Sequence, residues 1–212
     1  VATSVAGADL CFTESFSATV RFIQRPPPAA CGSLPRVGIV LRDWSPLGPD
    51  FFDRMLVVAR QLRSLGVDVR FLAFAPSDRA YLSALSTAHE KVMAWHAGYG
   101  SIEAFWAEIA AHDLLVTSRF HGAVFALLSG RPFIAIDIEP KLASLAAMVP
   151  ELSNVLVQPD ASVDAMVENI LAALSASETA KPVLVAALNH QRALAARGES
   201  ALIAFLESEF AQ

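Results

Sequence analysis

Cysteine is nearly absent. Of 212 residues only Cys11 and Cys31 carry a thiol, and neither belongs to a C-x-x-C motif. That is too few for a disulfide framework, so two ordinary thiols in a cytoplasmic protein are expected. Charge is scarce too: 17% of residues are charged, and 16 Lys and Arg against 21 Asp and Glu give a formal net charge of −5. With no basic run and no aromatics interleaved with Lys or Arg, binding to nucleic acid has no electrostatic basis. No apolar run reaches the roughly 20 residues of a membrane-spanning helix. No charged segment followed by an apolar core opens the chain as a secretory signal would. His89, His96, His112 and His190 are scattered without H-x-x-x-H, H-x-H or Cys/His spacing, so no metal site is expected. Neither G-x-G-x-x-G nor G-x-x-x-x-G-K-S/T occurs, which disfavours dinucleotide and P-loop cofactors. Ser118 lacks the G-x-S-x-G elbow of a nucleophilic serine. The chain starts at Val1 and not at Met, so a piece of a longer protein is expected.

What is present is apolar. The hydrophobic content of 54% is enough for a full core, and it sits in short β-branched runs and Ala/Leu-rich stretches. Leu10 to Thr13 reads as a short strand and Ser15 to Ile23 as a short helix. Pro26, Pro27 and Pro28 then forbid regular structure, making Arg25 to Gly32 a linker. From Leu34 the elements alternate. Strand one is Arg36 to Leu41; Asp50 caps a helix with Met55, Val58, Leu62 and Leu65 on one face and Gly66 at its end. Strand two is Val67 to Phe74; Ser77 or Asp78 caps a helix to about Thr87; strand three is Lys91 to Trp95. Ser101 caps a helix with Ile102, Phe105, Trp106 and Ile109 inward. Strand four, Leu114 to Thr117, is followed by a helix from Gly122 to Ser129 and by strand five, Pro132 to Ile136. Lys141 begins a helix ending near Met148, and Val155 to Val157 is a last short strand. Asp160 and Ser162 cap an Ala-rich helix, and Lys181 onward is helical again, with Pro182 in its first turn and a break near Gly198. Six such alternations imply an α/β fold: a doubly wound, Rossmann-like parallel sheet of about six strands with helices on both faces.

Four polar side chains fall just past strand ends: Arg42 after strand one, Arg119 and His121 after strand four, and Lys141 after strand five. In an open parallel sheet these turns lie on the ligand-binding edge, and the helix opening at Gly122 offers free N–H groups to anions. Together with Ser118, the set suits a ligand with more than one negative charge: Arg grips phosphate or carboxylate bidentately, and Lys adds a point charge. Each residue also has an ordinary reading. An arginine in a loop is usually a solvated surface group, and a lone histidine is more often structural than catalytic. Trp44 either stacks on a sugar or packs its loop. Asp137 and Glu139 either orient a cation or accept a hydroxyl proton, or simply balance Arg119 and Lys141. The case rests on the coincidence of the four.

VGIVLRDW, then SRFHGAVFALLSGRPFIAI and the EPK that follows it, resemble the polysaccharide pyruvyl transferase family over roughly Leu34 to Gln212. The resemblance implies the C-terminal half of a two-domain GT-B protein. Such a protein moves the enolpyruvyl skeleton of phosphoenolpyruvate onto hydroxyls of a cell-surface glycan as a pyruvate ketal, in exopolysaccharide or cell-wall biosynthesis. It implies that Arg42, Arg119, His121 and Lys141 occupy donor-site positions. Arg42 and Lys141 would bind phosphate or carboxylate, Arg119 the same anion or its departing charge, and His121 would manage a proton. Phosphoenolpyruvate is the donor substrate, and neither metal nor nucleotide cofactor is implied.

Family members carry an entire N-terminal domain ending in a segment similar to ADLCFTESFS, with an Arg where Thr13 stands here. Residues 1–33 are therefore expected to be the residual end of a missing N-terminal domain plus linker, and residues 34–212 the donor-binding domain. The missing half would supply most of the site for the glycan or lipid-linked acceptor, so the isolated piece is expected to be inactive; the full-length protein leaves room for peripheral membrane association. Two other readings stay open: half of a nucleotide-sugar glycosyltransferase or epimerase, and a non-catalytic binding domain.

Overall fold

The computed structural model describes residues 9–13, 34–42, 50–75, 78, 92–94, 102–149 and 155–210. Its centre is a parallel sheet of β1 (Arg36–Val40), β2 (Asp68–Ala73), β3 (Val92–Ala94), β4 (Leu114–Thr117), β5 (Phe133–Ile136) and β6 (Leu156–Val157). The spatial order is β3-β2-β1-β4-β5-β6 and every described pairing is parallel. The sheet grows outward in one direction from β1 and in the other from β4. The crevice between these two strands is the switch point at which doubly wound sheets bind ligands.

Strand side chains alternate between two covered faces, as buried parallel strands must. On one face Ile39, Phe71, Val116 and Ile134 pack against α1 (Asp50–Ser64) and α5 (Val163–Ser175). On the other, Val40, Leu72, Leu115 and Phe133 meet α2 (Ile102–Ala110), α3 (Phe120–Leu128), α4 (Pro140–Ala146) and α6 (Ser177–Phe210). Burying one such side chain stabilises the fold by roughly 1.5–3 kcal/mol. Helix α1 buries Met55, Val58 and Leu62 at the expected spacing and ends at Gly66, which has φ of 82°. There the Val67 N–H donates to the Leu62 carbonyl at 3.0 Å, closing the last turn. Leu65, expected on the inner face, is exposed beyond the helix end.

Three expectations need correction. Leu10 to Thr13 is no strand: Leu10–Phe12 forms a 3₁₀ turn. Asp9 starts it, its carbonyl accepting from the Phe12 N–H at 3.0 Å and its side chain from the Cys11 N–H at 2.9 Å, a local bond that competes with strand pairing. Phe12 is buried in the second core. Helix α6 does not break at Gly198 and starts at Ser177, so Pro182 lies inside it and not in its first turn. One glycine costs a helix only about 1 kcal/mol, and the buried Ala195 just before it holds α6 on the core. Helix α3 starts at Phe120, two residues earlier than expected, because Arg119 is its N-cap. Ser162 caps α5 as expected, accepting the Ala165 N–H at 3.2 Å.

The expected helices at Ser15–Ile23 and from Ser77 to Thr87, the proline linker, Cys31 and the Trp44 loop lie outside the described residues, apart from Asp78. No single helix among the described residues is long and apolar enough to cross a membrane; α5 and α6 meet at a bend of 82°.

Candidate functional site

The site is built where the ends of β1, β4 and β5 meet the starts of α3 and α4. Ser118 follows β4. It is fully buried, and its hydroxyl accepts the Arg42 N–H at 2.7 Å while its own N–H donates to the Val40 carbonyl at 2.9 Å. Ser118 therefore latches the two strand ends at the switch point and does not face solvent. Arg42 reaches the opposite way, pairing with Glu139 at 3.1 Å and tying β1 to the residue before α4.

Thr117 and Gly122 set the entry of α3. The Thr117 hydroxyl accepts the Arg119 N–H at 3.0 Å and donates to the Arg119 carbonyl at 2.8 Å. The first turn of α3 is pressed so close that a Cβ at position 122 would lie 2.2 Å from Thr117 Oγ1. Glycine is the one residue that fits there. The side chain of Arg119 runs to Asp78, a fully buried carboxylate whose other oxygen accepts the Phe74 and Ala75 N–H groups at 3.1 and 3.0 Å. Among the described residues the buried Arg119 Nε–H has no acceptor. Among the described residues no side chain caps α3, so its N-terminal end lies open at this edge of the sheet. The Gly122 N–H, expected to face an anion, instead donates to the Arg119 carbonyl at 3.0 Å, and α4 opens on Pro140, which has no N–H, with the Leu142 N–H bonded to the Glu139 carbonyl at 3.0 Å.

His121 and Lys141 border these ends. The His121 side chain is 53% exposed, its Nε2 lies 3.4 Å from Asp9 Oδ2, and its ring stands edge-on to Phe120 with centroids 5.5 Å apart. Lys141 is exposed on the first turn of α4, its Nζ 5.9 Å from the Phe120 ring centroid, within cation–π reach. Asp9 also holds Cys11. Burial opposes ionisation of the Asp9 carboxyl, but the Cys11 amide and thiol and the nearby His121 outweigh it and hold the group below its usual range. Burial, then Asp9, pushes the Cys11 thiol up to about 12, leaving it neutral at pH 7. Asp137 accepts from Gln158 Nε2 at 3.0 Å.

Of the residues singled out in the sequence, Arg42, Ser118, Arg119, His121, Gly122 and Lys141 all lie on this edge, joined through the contacts above; Trp44 lies outside the described residues. Asp9, Asp78 and Thr117 were missed as members of the site. Asp78 carries a local signal only as a helix cap, and its partner Arg119 is 41 residues away.

The sequence pattern of polysaccharide pyruvyl transferases matches residues 9–140, a stretch that opens on Asp9 and takes in every residue of the site except Lys141. The chain belongs to the polysaccharide pyruvyl transferase family. No curated protein sequence matches it. Solved structures share its fold. A putative UDP-N-acetylglucosamine 2-epimerase from Listeria monocytogenes is 13% identical with a TM-score of 0.58, over 95% of this chain and 53% of that one. An alpha,alpha-trehalose 6-phosphate synthase from Burkholderia multivorans is 16% identical at 0.58, over 92% and 47%. Staphylococcus aureus TarM is 14% identical at 0.51, over 78% and 33%. Such identities establish the α/β, Rossmann-like fold shared with GT-B glycosyltransferases and nothing finer. This pyruvyl transferase family chain spans between a third and about half of the length of these three proteins.

Proposed function

We propose that the chain is the phosphoenolpyruvate-binding half of a pyruvyl transferase that works in the cytoplasm and builds a pyruvate ketal on a glycan or lipid-linked sugar acceptor. One observation carries the reading. The sheet order sets β1, β4 and β5 side by side, and each of their ends delivers a cation: Arg42, Arg119 and Lys141. Phosphoenolpyruvate has a phosphate and a carboxylate, which call for two or three fixed cations and helix N-termini. Arg119 and the N-terminal end of α3 are donors of that kind.

Ketal formation adds a proton to the methylene carbon while one sugar hydroxyl bonds to the central carbon. A second hydroxyl then replaces the phosphate, which leaves with the displaced proton. His121, half-exposed in the first turn of α3, would carry a proton in either step, and Asp9 Oδ2, 3.4 Å from its Nε2, is placed to hold its imidazole. Arg119 faces charge on the departing phosphate, and its own position is held by Asp78. No metal or nucleotide enters this scheme. The acceptor would be held largely by an N-terminal domain of the full-length protein.

The test is calorimetric titration of the full-length protein with phosphoenolpyruvate. Lys141→Ala and His121→Ala alter exposed side chains and leave the packing alone. Loss of one charged contact is worth about 1.5 kcal/mol or more, so the Lys141 variant should weaken binding roughly tenfold or more. Absence of phosphoenolpyruvate binding to the full-length protein sinks the proposal. A second reading, a non-catalytic binding domain, draws on the Arg42–Glu139 and Arg119–Asp78 pairs, which occupy two of the three cations. It predicts that Glu139→Gln, by releasing Arg42, leaves anion affinity unchanged; the transferase reading predicts tighter binding.

A further inference from the structure

At the border of the same site, three ligand-type side chains converge where the N-terminal turn meets α3. One donor atom each from Asp9, Cys11 and His121 can be chosen so that all three lie within 4.8 Å of one another. We infer that Asp9, Cys11 and His121 form an open binding site for a divalent cation of the zinc class. This goes beyond the transferase reading and does not rest on it: the imidazole that carries a proton in the empty site would hold the ion in the filled one, so the two states exclude each other.

The donor chemistry selects the ion. A thiolate, an imidazole and a carboxylate together suit Zn²⁺ and its spectroscopic stand-in Co²⁺, whereas Mg²⁺ and Ca²⁺ want oxygen ligands. A tetrahedral centre with bonds of about 2.0–2.3 Å sets its donors roughly 3.3–3.7 Å apart. His121 Nε2 and Asp9 Oδ2, at 3.4 Å, already have that separation. The Cys11 sulfur closes the remainder by swinging on its side chain, its proton passing to solvent as the sulfur–metal bond forms.

Both ligand-bearing segments are anchored. Phe12, between Cys11 and Thr13, is 1% exposed and locks the turn into the core. The first turn of α3 is fixed by the Gly122–Thr117 approach. The second Asp9 oxygen accepts the Cys11 N–H at 2.9 Å, orienting the carboxylate as supporting hydrogen bonds around metal sites do. His121 is more than half exposed, so the fourth position opens to water or an anion, the arrangement of a three-ligand site. D-x-C is a weak signal in the sequence, and its third ligand comes from the far side of β4.

The experiment is Co²⁺ titration of the chain in a Cys31→Ser background, which leaves Cys11 as the sole thiol. One equivalent should bind with a thiolate-to-cobalt charge-transfer band in the near ultraviolet and the strong visible absorption of four-coordinate cobalt, and Zn²⁺ should displace it. Cys11→Ser should abolish the charge-transfer band. His121→Ala, at an exposed position that leaves the fold intact by circular dichroism, should weaken Co²⁺ binding about tenfold or more. A plain carboxylate–imidazole pair with a bystander thiol predicts no sulfur–cobalt band. That result, or a band that survives Cys11→Ser, or Co²⁺ affinity unchanged in His121→Ala, overturns the assignment.

Discussion

Replacing Gly122 by alanine sets two effects against each other. In a helix alanine is favoured over glycine by about 1 kcal/mol, so a surface position would gain. Here the new Cβ would stand 2.2 Å from Thr117 Oγ1 and 2.9 Å from Thr117 Cβ. Carbon–carbon contacts settle at about 3.5–4.0 Å, so either α3 lifts or Thr117 turns. Thr117 cannot turn cheaply: it is fully buried, β-branched and bonded through its hydroxyl to both the N–H and the carbonyl of Arg119. Overpacking costs about 1–3 kcal/mol, and each hydrogen bond given up costs roughly 0.5–1.5 kcal/mol. The clash wins, and Gly122→Ala should lose about 3 kcal/mol of stability once the roughly 1 kcal/mol helix gain is subtracted. Urea unfolding measures it. Thr117→Ala removes the hydroxyl and methyl that the new Cβ meets, so the double variant should be less destabilised than the sum of the singles by about 1 kcal/mol or more. A Gly122→Ala protein within about 0.5 kcal/mol of the parent, or strict additivity with Thr117→Ala, would refute the reasoning.

Asp78→Ala should cost about 3–5 kcal/mol in the same assay, because it strands the Arg119 guanidinium and the Phe74 and Ala75 N–H groups. Asp78→Asn, which keeps acceptors for the two amides, should cost less. His112 is buried with its Nδ1–H donating to the Glu108 carbonyl at 2.8 Å, and its Nε2 has no partner among the described residues. Burial pushes its pKa below 6.5, more strongly than Glu108 raises it, with Arg36 and Arg70 adding to the depression. The unfolded chain then takes up a proton on this residue before the folded one does. Its share of stability is complete above about pH 6.5 and falls as pH drops below that value, by at most about 1.4 kcal/mol per pH unit. Urea midpoints at pH 7.5 and 5.5 should show this loss in the parent and not in His112→Gln; equal pH dependence in both would remove His112 from the account.

The sheet was legible in the sequence because buried parallel strands need little beyond short β-branched runs. RVGIV, LLVT and FIAI are such runs, and all three appear as strands. The cations of the site were legible as well, since a polar residue just after a buried strand has one edge of the sheet to occupy. Their partners were not. Arg42 meets Glu139, Arg119 meets Asp78 and His121 meets Asp9, and no local periodicity encodes which carboxylate a chain brings back to a given cation. Gly122 showed itself as the opening of a helix, but its physical reason, the Thr117 hydroxyl beneath it, is a packing fact. The Leu10 to Thr13 segment misled because apolar residues beside an aspartate fit a strand or a side-chain-closed turn equally well, and the Asp9 bond to the Cys11 amide decides between them.

The latch between Ser118 and Arg42 has a bearing on how the molecule folds. Its two halves are 76 residues apart in the chain, and the Arg42–Glu139 pair spans 97. No single βαβ unit owns the site, so it exists only once the two wings of the sheet have joined along β1 and β4. Closing so long a loop comes late and costs entropy before any contact repays it. An anion that bridges Arg42 and Arg119 would therefore hold the wings together, and its binding free energy would count against global unfolding of the chain and not merely against fraying of one loop.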